Sequence, residues 1–240
     1  MDYRQYLEVI RDESAALADA AAKVSLDTPV PTCPDWTMAK LVTHIAQVQQ
    51  WANMLVVTRA TERIPRTALP PAPPASEAIA WFREATRTLL ETLAATDKSI
   101  PVWTWTRERS VAYWARRQAQ EVAVHRWDAE NAGGKPQPIA AGLAADGVDE
   151  LLELIQFVPG ERGGAGETIH LHCTDVPGEW LIRLGAKGLE VERMHAKGDA
   201  AARGPASDLD LFLWGRIPAS ALEVFGDAAL VTRLQTLTTL

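Results

Sequence analysis

The sequence of 240 residues has only two cysteines, no dense basic tract and no long apolar run. Cys33 and Cys173 are too few and too far apart for a disulfide framework or a thiolate zinc site, so we expect a reduced, cytoplasmic protein. A net charge of −7 argues against nucleic acid or an anionic membrane as the partner. No apolar run approaches the ~20 residues that span a bilayer, and the charged N-terminus does not resemble a secretory signal.

The remaining composition is that of an ordinary globular protein. Hydrophobic residues make up 47% and charged residues 23%, so extensive disorder is not expected. The length fits one large domain or two modest ones. In the first half, apolar residues recur with helical spacing in four stretches joined by proline-rich connections, which predicts a four-helix bundle. These stretches are residues 2–24, 37–58, 76–95 and 110–132.

The chain changes character after Asn131. The segment GGKPQPIAAGLAADG has the glycine, proline and alanine content of an inter-domain linker, and a helix is predicted over residues 146–158. Four strands and three helices are then predicted: strands over 168–174, 180–184, 188–194 and 200–203, helices over 207–216, 220–224 and 227–237. Strands followed by helices indicate an α+β protein, with a helical bundle over residues 1–135 and a small α/β domain over residues 146–240.

The helix predicted over residues 110–132 carries two polar residues on its inward stripe. Glu121 and His125 are four positions apart, so their side chains project from one face about 6 Å from each other. The same face carries Val111, Trp114, Gln118 and Val122. A carboxylate and an imidazole on a buried stripe are costly unless something pairs with them, and a metal ion is one such partner.

A third ligand candidate, His44, lies between Leu41 and Val48 on the inward stripe of the second helix. Two histidines and one carboxylate can hold one divalent metal and leave positions open for water or substrate. The same set is the facial triad of non-haem iron enzymes. Two simpler interpretations also fit the spacing. Glu-x-x-x-His can be a solvated pair, and a single histidine on an apolar face can be a hydrogen-bonded core residue.

Other residues near these helices have competing interpretations. Gln118 can line a cavity or orient a ligand, or it can lie on the surface. Asp128 can support His125, although a position on the polar face is favoured. Cys33 is expected to be a packing residue and not a nucleophile. Three tryptophans are candidates for the walls of a cavity: Trp36, Trp51 and Trp114.

A second pair of histidines lies in the first predicted strand. His170 and His172 are two positions apart, so both side chains lie on one face of that strand. The sequence shows no third ligand nearby, and a second metal site is therefore not expected there.

Two motifs resemble those of the mycothiol-dependent maleylpyruvate isomerase family, a branch of the DinB-like four-helix bundles. They are CPDWTMAKLVTHIAQVQQWA, which contains His44, and WARRQAQEVAVHRWDAE, which contains Glu121 and His125. The second half, from LHCTDVPGEWLIRL through GPASDLDLFLWGR, is similar to the family's C-terminal domain, which has a sterol-carrier-protein-like shape. The resemblance covers essentially the whole chain.

The resemblance implies a zinc ion (Zn²⁺, with Fe²⁺ or another divalent metal as the alternative) held by His44, Glu121 and His125. It implies mycothiol as the thiol cosubstrate, whose thiolate adds to a cis-enedione so that rotation and elimination give the trans isomer. Related bundles act as S-transferases on small electrophiles. The family also suggests a substrate-binding arginine in the C-terminal domain, for which Arg216 is the best match and a solvated helix-terminal charge is the alternative.

These features predict a cytoplasmic isomerase or S-transferase, monomeric or homodimeric, with a small thiol and a small electrophile as its partners. Neither nucleic acid nor a membrane is expected as a partner. A non-catalytic metal-binding or stress-response protein of the same fold is the alternative from a different functional class. A non-haem iron enzyme is the third possibility.

Overall fold

The computed structural model describes residues 1–158 and 162–239, and the chain divides into two units, Met1–Gln137 and Pro138–Leu240. The helices of the first unit are α1 (Tyr3–Ala21), α2 (Met38–Val57), α3 (Ala78–Ala95) and α4 (Val111–Ala132). Each lies within a stretch that the helical spacing predicts. None of the helices in the described part of the chain is long and apolar enough to cross a membrane.

The starts of these helices follow from local capping chemistry. Asp2 accepts a hydrogen bond from the backbone N–H of Gln5, whose side chain accepts one in return, so α1 begins with a capping box. Thr37 caps α2, with its Oγ1 accepting from the Lys40 N–H at 3.4 Å. Ser110 caps α4 in the same way. These caps fix where the two helices with the candidate ligands begin.

Helix α4 is the central helix of the bundle. It packs most extensively against α1 and also against α2, while α2 packs mainly against α3. The expected inward stripe is buried or half-buried, but α4 is covered on its other faces as well, so Arg117, Gln120 and Arg126 are buried too. A helix with charged residues buried on several faces must satisfy each of them inside the protein, and these contacts determine the chemistry of the site.

The described residues of the second unit form three α-helices and five strands. The helices are α5 (Ala141–Leu154), α6 (Ala206–Leu213) and α7 (Ala228–Thr238). The strands are β1 (Thr168–Cys173), β2 (Glu179–Gly185), β3 (Gly188–Glu192), β4 (Ala200–Gly204) and β5 (Glu223–Gly226). They form one sheet in the order β3-β2-β1-β4-β5, in which β1 and β4 are parallel and the other neighbours antiparallel. The α+β prediction is confirmed.

Two predicted elements of the second unit were wrong. Residues 220–224 were expected to be helical, but only a single helical turn, Ala219–Ala221, precedes strand β5. Val224 and Phe225 favour a strand, and pairing with β4 supplies the backbone hydrogen bonds that a four-residue segment needs. Helix α5 begins at Ala141, so residues 141–145, interpreted as linker, are helical. Alanine is the best helix former, and Leu143 is buried in the core of the unit.

The two faces of the sheet differ in their side chains. Alternate residues of β1, β2 and β4 are buried on the face against which α6 and α7 pack: Ile169, Leu171, Trp180, Ile182, Leu184, Ala200 and Ala202. Trp180 also donates from Nε1 to Asp149 of α5 at 2.6 Å. The opposite face carries polar side chains, among them His170, His172 and Glu179.

Candidate metal centre

Helices α2 and α4 bring the three predicted ligands together. His44 Nε2 lies 3.2 Å from Glu121 Oε1, and His125 Nε2 lies 3.7 Å from the same oxygen. The ring centroids of the two histidines are 5.3 Å apart. The three candidate ligand atoms all lie within 4.8 Å of one another. Because His44 and Glu121 side chains are 26% and 16% exposed, a small molecule can reach the centre from solvent.

A buried carboxylate is hydrogen-bonded to the ring nitrogen of His125 that does not face Glu121. His125 Nδ1 lies 2.8 Å from Oδ2 of Asp128, a residue with no exposed surface. This contact is satisfied when Nδ1 carries the proton and donates it, which leaves Nε2 free to bind an ion. Asp128 also accepts from Thr32 Oγ1 at 2.5 Å and from Cys33 Sγ at 3.6 Å. The sequence favoured a polar-face position for Asp128, and the structure corrects this because α4 is covered on that side.

Glu121 is paired with a buried guanidinium from its own helix. Arg117, one turn earlier on α4, donates from Nη2 to Glu121 Oε2. Burial opposes ionisation of Glu121, but the Arg117 charge and the contacts with His44 and His125 outweigh it and hold the pKa of this carboxyl well below its usual range. Glu121 is therefore ionised at neutral pH, as a metal ligand must be.

Trp36, the residue before the N-cap of α2, packs against the imidazole rings of His44 and His125. Its ring centroid lies 4.7 Å from that of His44 and 5.9 Å from that of His125, with the second pair stacked. Trp51 and Trp114 were also expected at the cavity wall, but they pack with Trp103 in a separate aromatic cluster of the core. Helical spacing places a side chain on a face but does not say at which level of the bundle it meets its neighbours.

Gln118 is buried, so the surface interpretation of this residue is wrong. Its amide Nε2 has no hydrogen-bond partner among the described residues. It lies three positions before Glu121 on the same face of α4. An unpaired buried donor at this position is available to a bound ligand.

Sequence reasoning missed Arg117 and gave Asp128 too little weight. The signal for both was their spacing: Arg117 precedes Glu121 by four positions, and Asp128 follows His125 by three. Pairs at these separations meet on a helix. What the spacing did not show is that both residues are buried, which makes the pairs obligatory. Cys33 is buried as expected, and its contact with Asp128 ties it to the centre.

The donor set fits a divalent metal ion. Ligand atoms that bind one tetrahedral zinc at 2.0–2.1 Å lie about 3.3 Å from one another. The distances of 3.2 and 3.7 Å to Glu121 Oε1 are close to this value. Two imidazoles and one carboxylate, with one imidazole hydrogen-bonded to a second carboxylate, are the kind of ligand set that catalytic zinc sites use when they keep one position open.

Two further predictions concern the second unit. Arg216 follows Gly215 just after α6, and its Nη1 donates to the Trp214 carbonyl at 2.8 Å. Its role at a substrate stays a prediction. The expectation that His170 and His172 have no further ligand nearby was wrong, since Glu179 and His195 lie beside them.

Cys173 is buried, which raises the pKa of its thiol to about 12 and leaves it unreactive at neutral pH.

Comparison with known proteins identifies the family to which the two units belong. The family model of the mycothiol maleylpyruvate isomerase N-terminal domain matches residues 7–130, and that of the MDMPI C-terminal domain matches residues 142–233. Two solved structures share the fold. A crystal structure of the mycothiol-dependent maleylpyruvate isomerase has 15% sequence identity and a TM-score of 0.61, and a histidine-to-alanine mutant of it has 16% and 0.63. Each comparison covers 93% of both chains. No curated protein matches the sequence.

The fold and the matches define a DinB-like helical bundle joined to a small α/β domain. The chain belongs to the mycothiol-dependent maleylpyruvate isomerase family, and it is an isomerase-like enzyme.

Proposed function

We propose that this enzyme uses zinc and mycothiol to isomerise, or to transfer the thiol to, a small electrophile similar to maleylpyruvate. The observation that carries the proposal is the convergence of His44, Glu121 and His125, whose ligand atoms lie within 4.8 Å of one another. These three residues would hold the metal. When bound, zinc would lower the pKa of a thiol that it coordinates, so that the reactive thiolate exists at neutral pH.

The residues around the ligands prepare them for this task. Asp128 holds the His125 ring in the orientation and tautomer that present Nε2 to the ion. Arg117 keeps Glu121 ionised and fixes one of its oxygens, which leaves Oε1 directed at the two histidines. Because these partners are themselves buried, little reorganisation is needed when a ligand binds.

Trp36 and Gln118 suit a polar thiol ligand. Trp36 covers the imidazoles with an apolar ring, which excludes water from one side of the centre. The unpaired Nε2 of Gln118 is a donor for an oxygen of the thiol or the substrate. Arg216 is the proposed partner for an anionic group of the electrophile, because a guanidinium binds a carboxylate through two parallel hydrogen bonds.

The isomerisation needs no redox partner. A thiolate adds to one alkene carbon of a cis-enedione, the adduct rotates about the carbon–carbon bond that was double, and elimination restores the double bond in the trans form and releases the thiolate. Transfer would stop at the addition, with a proton taken up by the substrate carbon. Both reactions use the same nucleophile. We also propose a cytoplasmic location, because a thiol cosubstrate stays reduced in a reducing compartment.

Metal analysis and turnover of matched variants test the proposal. Protein purified without added metal should contain zinc, and mycothiol with maleylpyruvate should give turnover. The His44→Ala variant should lose the metal at this centre and at least about a hundredfold in turnover, because metal catalysis is worth several kcal/mol. The control is Gln50→Ala, which is half-buried on α2 but six positions from His44 and therefore on another face, and it should keep both the metal and the turnover.

Other outcomes of the same experiment identify the alternatives. Iron in the purified protein with oxygen-dependent turnover would replace the zinc–thiol mechanism by a non-haem iron enzyme, since the same three ligands form the iron facial triad. Full metal occupancy in His44→Ala would show that the ligand assignment is wrong. Bound metal without turnover with any thiol would favour a non-catalytic metal-binding protein.

A further inference from the structure

A second cluster of metal-binding side chains lies in the C-terminal unit. His170, His172, Glu179 and His195 each offer one ligand atom, and the four atoms lie within 4.8 Å of one another. The chain has five histidines in total. Two of them belong to the helical centre and the other three to this cluster, so every histidine of the protein lies beside a carboxylate and at least one other histidine.

The geometry of the sheet places three of these side chains together. His170 and His172 alternate with buried residues along β1 and lie on the face opposite the helices. In the antiparallel register, Glu179 of β2 is directly opposite His172 and diagonal to His170. Its Oε1 lies 3.3 Å from His172 Nδ1, and its Oε2 lies 3.1 Å from His170 Nε2.

The fourth side chain comes from the connection between β3 and β4. His195 lies in this segment, and its Nδ1 is 2.5 Å from Glu179 Oε2. Its ring centroid is 5.2 Å from that of His170 and 6.4 Å from that of His172. The β4 residue paired with His170 is Ala201, so a small side chain adjoins the cluster there. The connection thus extends over β1 and brings a third imidazole to the same carboxylate.

We propose that His170, His172, His195 and Glu179 form a second divalent-metal site, separate from the helical centre and selective for Zn²⁺ over the oxygen-preferring ions Mg²⁺ and Ca²⁺. Three of the four donors are imidazoles, which are borderline ligands that suit zinc, nickel or copper, and only one is a carboxylate of the kind that Mg²⁺ and Ca²⁺ prefer. Four protein ligands fill a tetrahedral shell, which is the composition of a structural site.

The burial of the cluster supports this role. His170 is buried and His172 and Glu179 are half-buried, whereas the His195 side chain is 78% exposed. Three of the ligands are thus supplied by paired strands of the sheet, and the fourth comes from an exposed connection. Arg193 and Asp199 already attach the two ends of the connection through Asp149 and Thr168, and a bound ion would also tie its exposed middle to the sheet and reduce its motion. Without the ion, His195 is held by its hydrogen bond to the partly solvated Glu179 and by ring contacts with the other two histidines, and such contacts are weak.

Zinc titration of the full-length protein against a chromophoric chelator tests the proposal. The wild-type chain should bind two equivalents of Zn²⁺, and the His44→Ala chain should bind one. In the His44→Ala background, either His195→Ala or His172→Ala should weaken the remaining equivalent by at least about tenfold, the scale on which even a supporting partner of a metal ligand acts. The matched control is Lys197→Ala, an exposed residue two positions after His195.

Limited proteolysis gives an independent readout that does not depend on turnover. Trypsin can cut after Arg193 and Lys197, which are both exposed in the β3–β4 connection. Zinc should slow cleavage at these two sites in the His44→Ala chain and leave the rate unchanged once His195 is also replaced by alanine. The proposal is overturned if the His44→Ala chain binds no zinc, or if His195→Ala and Lys197→Ala bind it equally. Neither result would affect the helical centre, which is judged by metal content and turnover in the wild-type background.

Discussion

In the helical unit, the ligand candidates are held by buried partners, whereas in the sheet unit they are held mainly by one another. Glu121 is paired with Arg117, and His125 with Asp128, and both partners are buried. In the sheet cluster, Glu179 is itself the group that three histidines approach, and its side chain is 29% exposed. The helical centre is therefore preorganised at a cost in buried charge, while the sheet cluster can rearrange when an ion binds.

The difference follows from the two kinds of secondary structure. On a helix, residues three and four apart meet, so α4 supplies a ligand, its carboxylate support and a guanidinium from one continuous element. On a sheet, neighbours come from different strands, so the cluster needs β1, β2 and a connection to meet. A helical site is consequently visible in the local sequence, and a sheet site is visible only once the register is known.

Removal of the carboxylate charge should produce the largest difference between the two clusters, measured as the loss in the free energy of unfolding. Glu121→Gln removes the charged partner of the buried Arg117 and should lower the free energy of unfolding of the metal-free protein by about 3 kcal/mol. Glu179→Gln removes a partly solvated partner and should cost less than about 1 kcal/mol. Urea denaturation in the presence of a chelator measures both. Equal losses would show that the helical centre is no more dependent on its charge pairing than the sheet cluster.

Removal of the support behind His125 should have a smaller, selective effect. Asp128→Asn keeps the shape of the side chain but no longer fixes Nδ1 as the donor, so zinc affinity at the helical centre should fall about 10- to 100-fold. Competition with a chelator measures this loss, and the sheet cluster should be unaffected. Asp12→Asn, an exposed change on α1, serves as the control. Unchanged affinity in Asp128→Asn would mean that the buried carboxylate serves packing alone.

The smallest effect should come from Gln118, where stability and ligand binding are expected to change in opposite directions. Gln118→Met removes a buried donor without a partner and should stabilise the protein by about 1 kcal/mol, while raising the KM for the thiol or the substrate. Gln50→Met, at a half-buried position on α2 that is on a different face from His44, should leave KM unchanged. Thermal denaturation and steady-state kinetics measure the two quantities. If KM stays constant, Gln118 does not contact a ligand.

Much of the fold was predictable because its signals are local. Helical spacing of the apolar residues predicted the helices of the bundle, and alternation in β1 and β2 predicted strands. The predictions that failed depended on distant contacts. Part of residues 220–224 forms a strand because it pairs with the edge of β4. The alanines after residue 140 are helical because the helix buries Leu143 in the core of the unit.

By itself, the sequence determined that Glu121 and His125 share a face of one helix and that His44 lies on the inward stripe of another, because helical periodicity depends only on the order of residues. Only the tertiary structure decided that Arg117 and Asp128 are buried partners, since burial depends on which helices cover α4. It alone also joined His195 and Glu179 to His170 and His172. Strand register and the course of a connection are set by packing across the whole sheet, which no local pattern encodes.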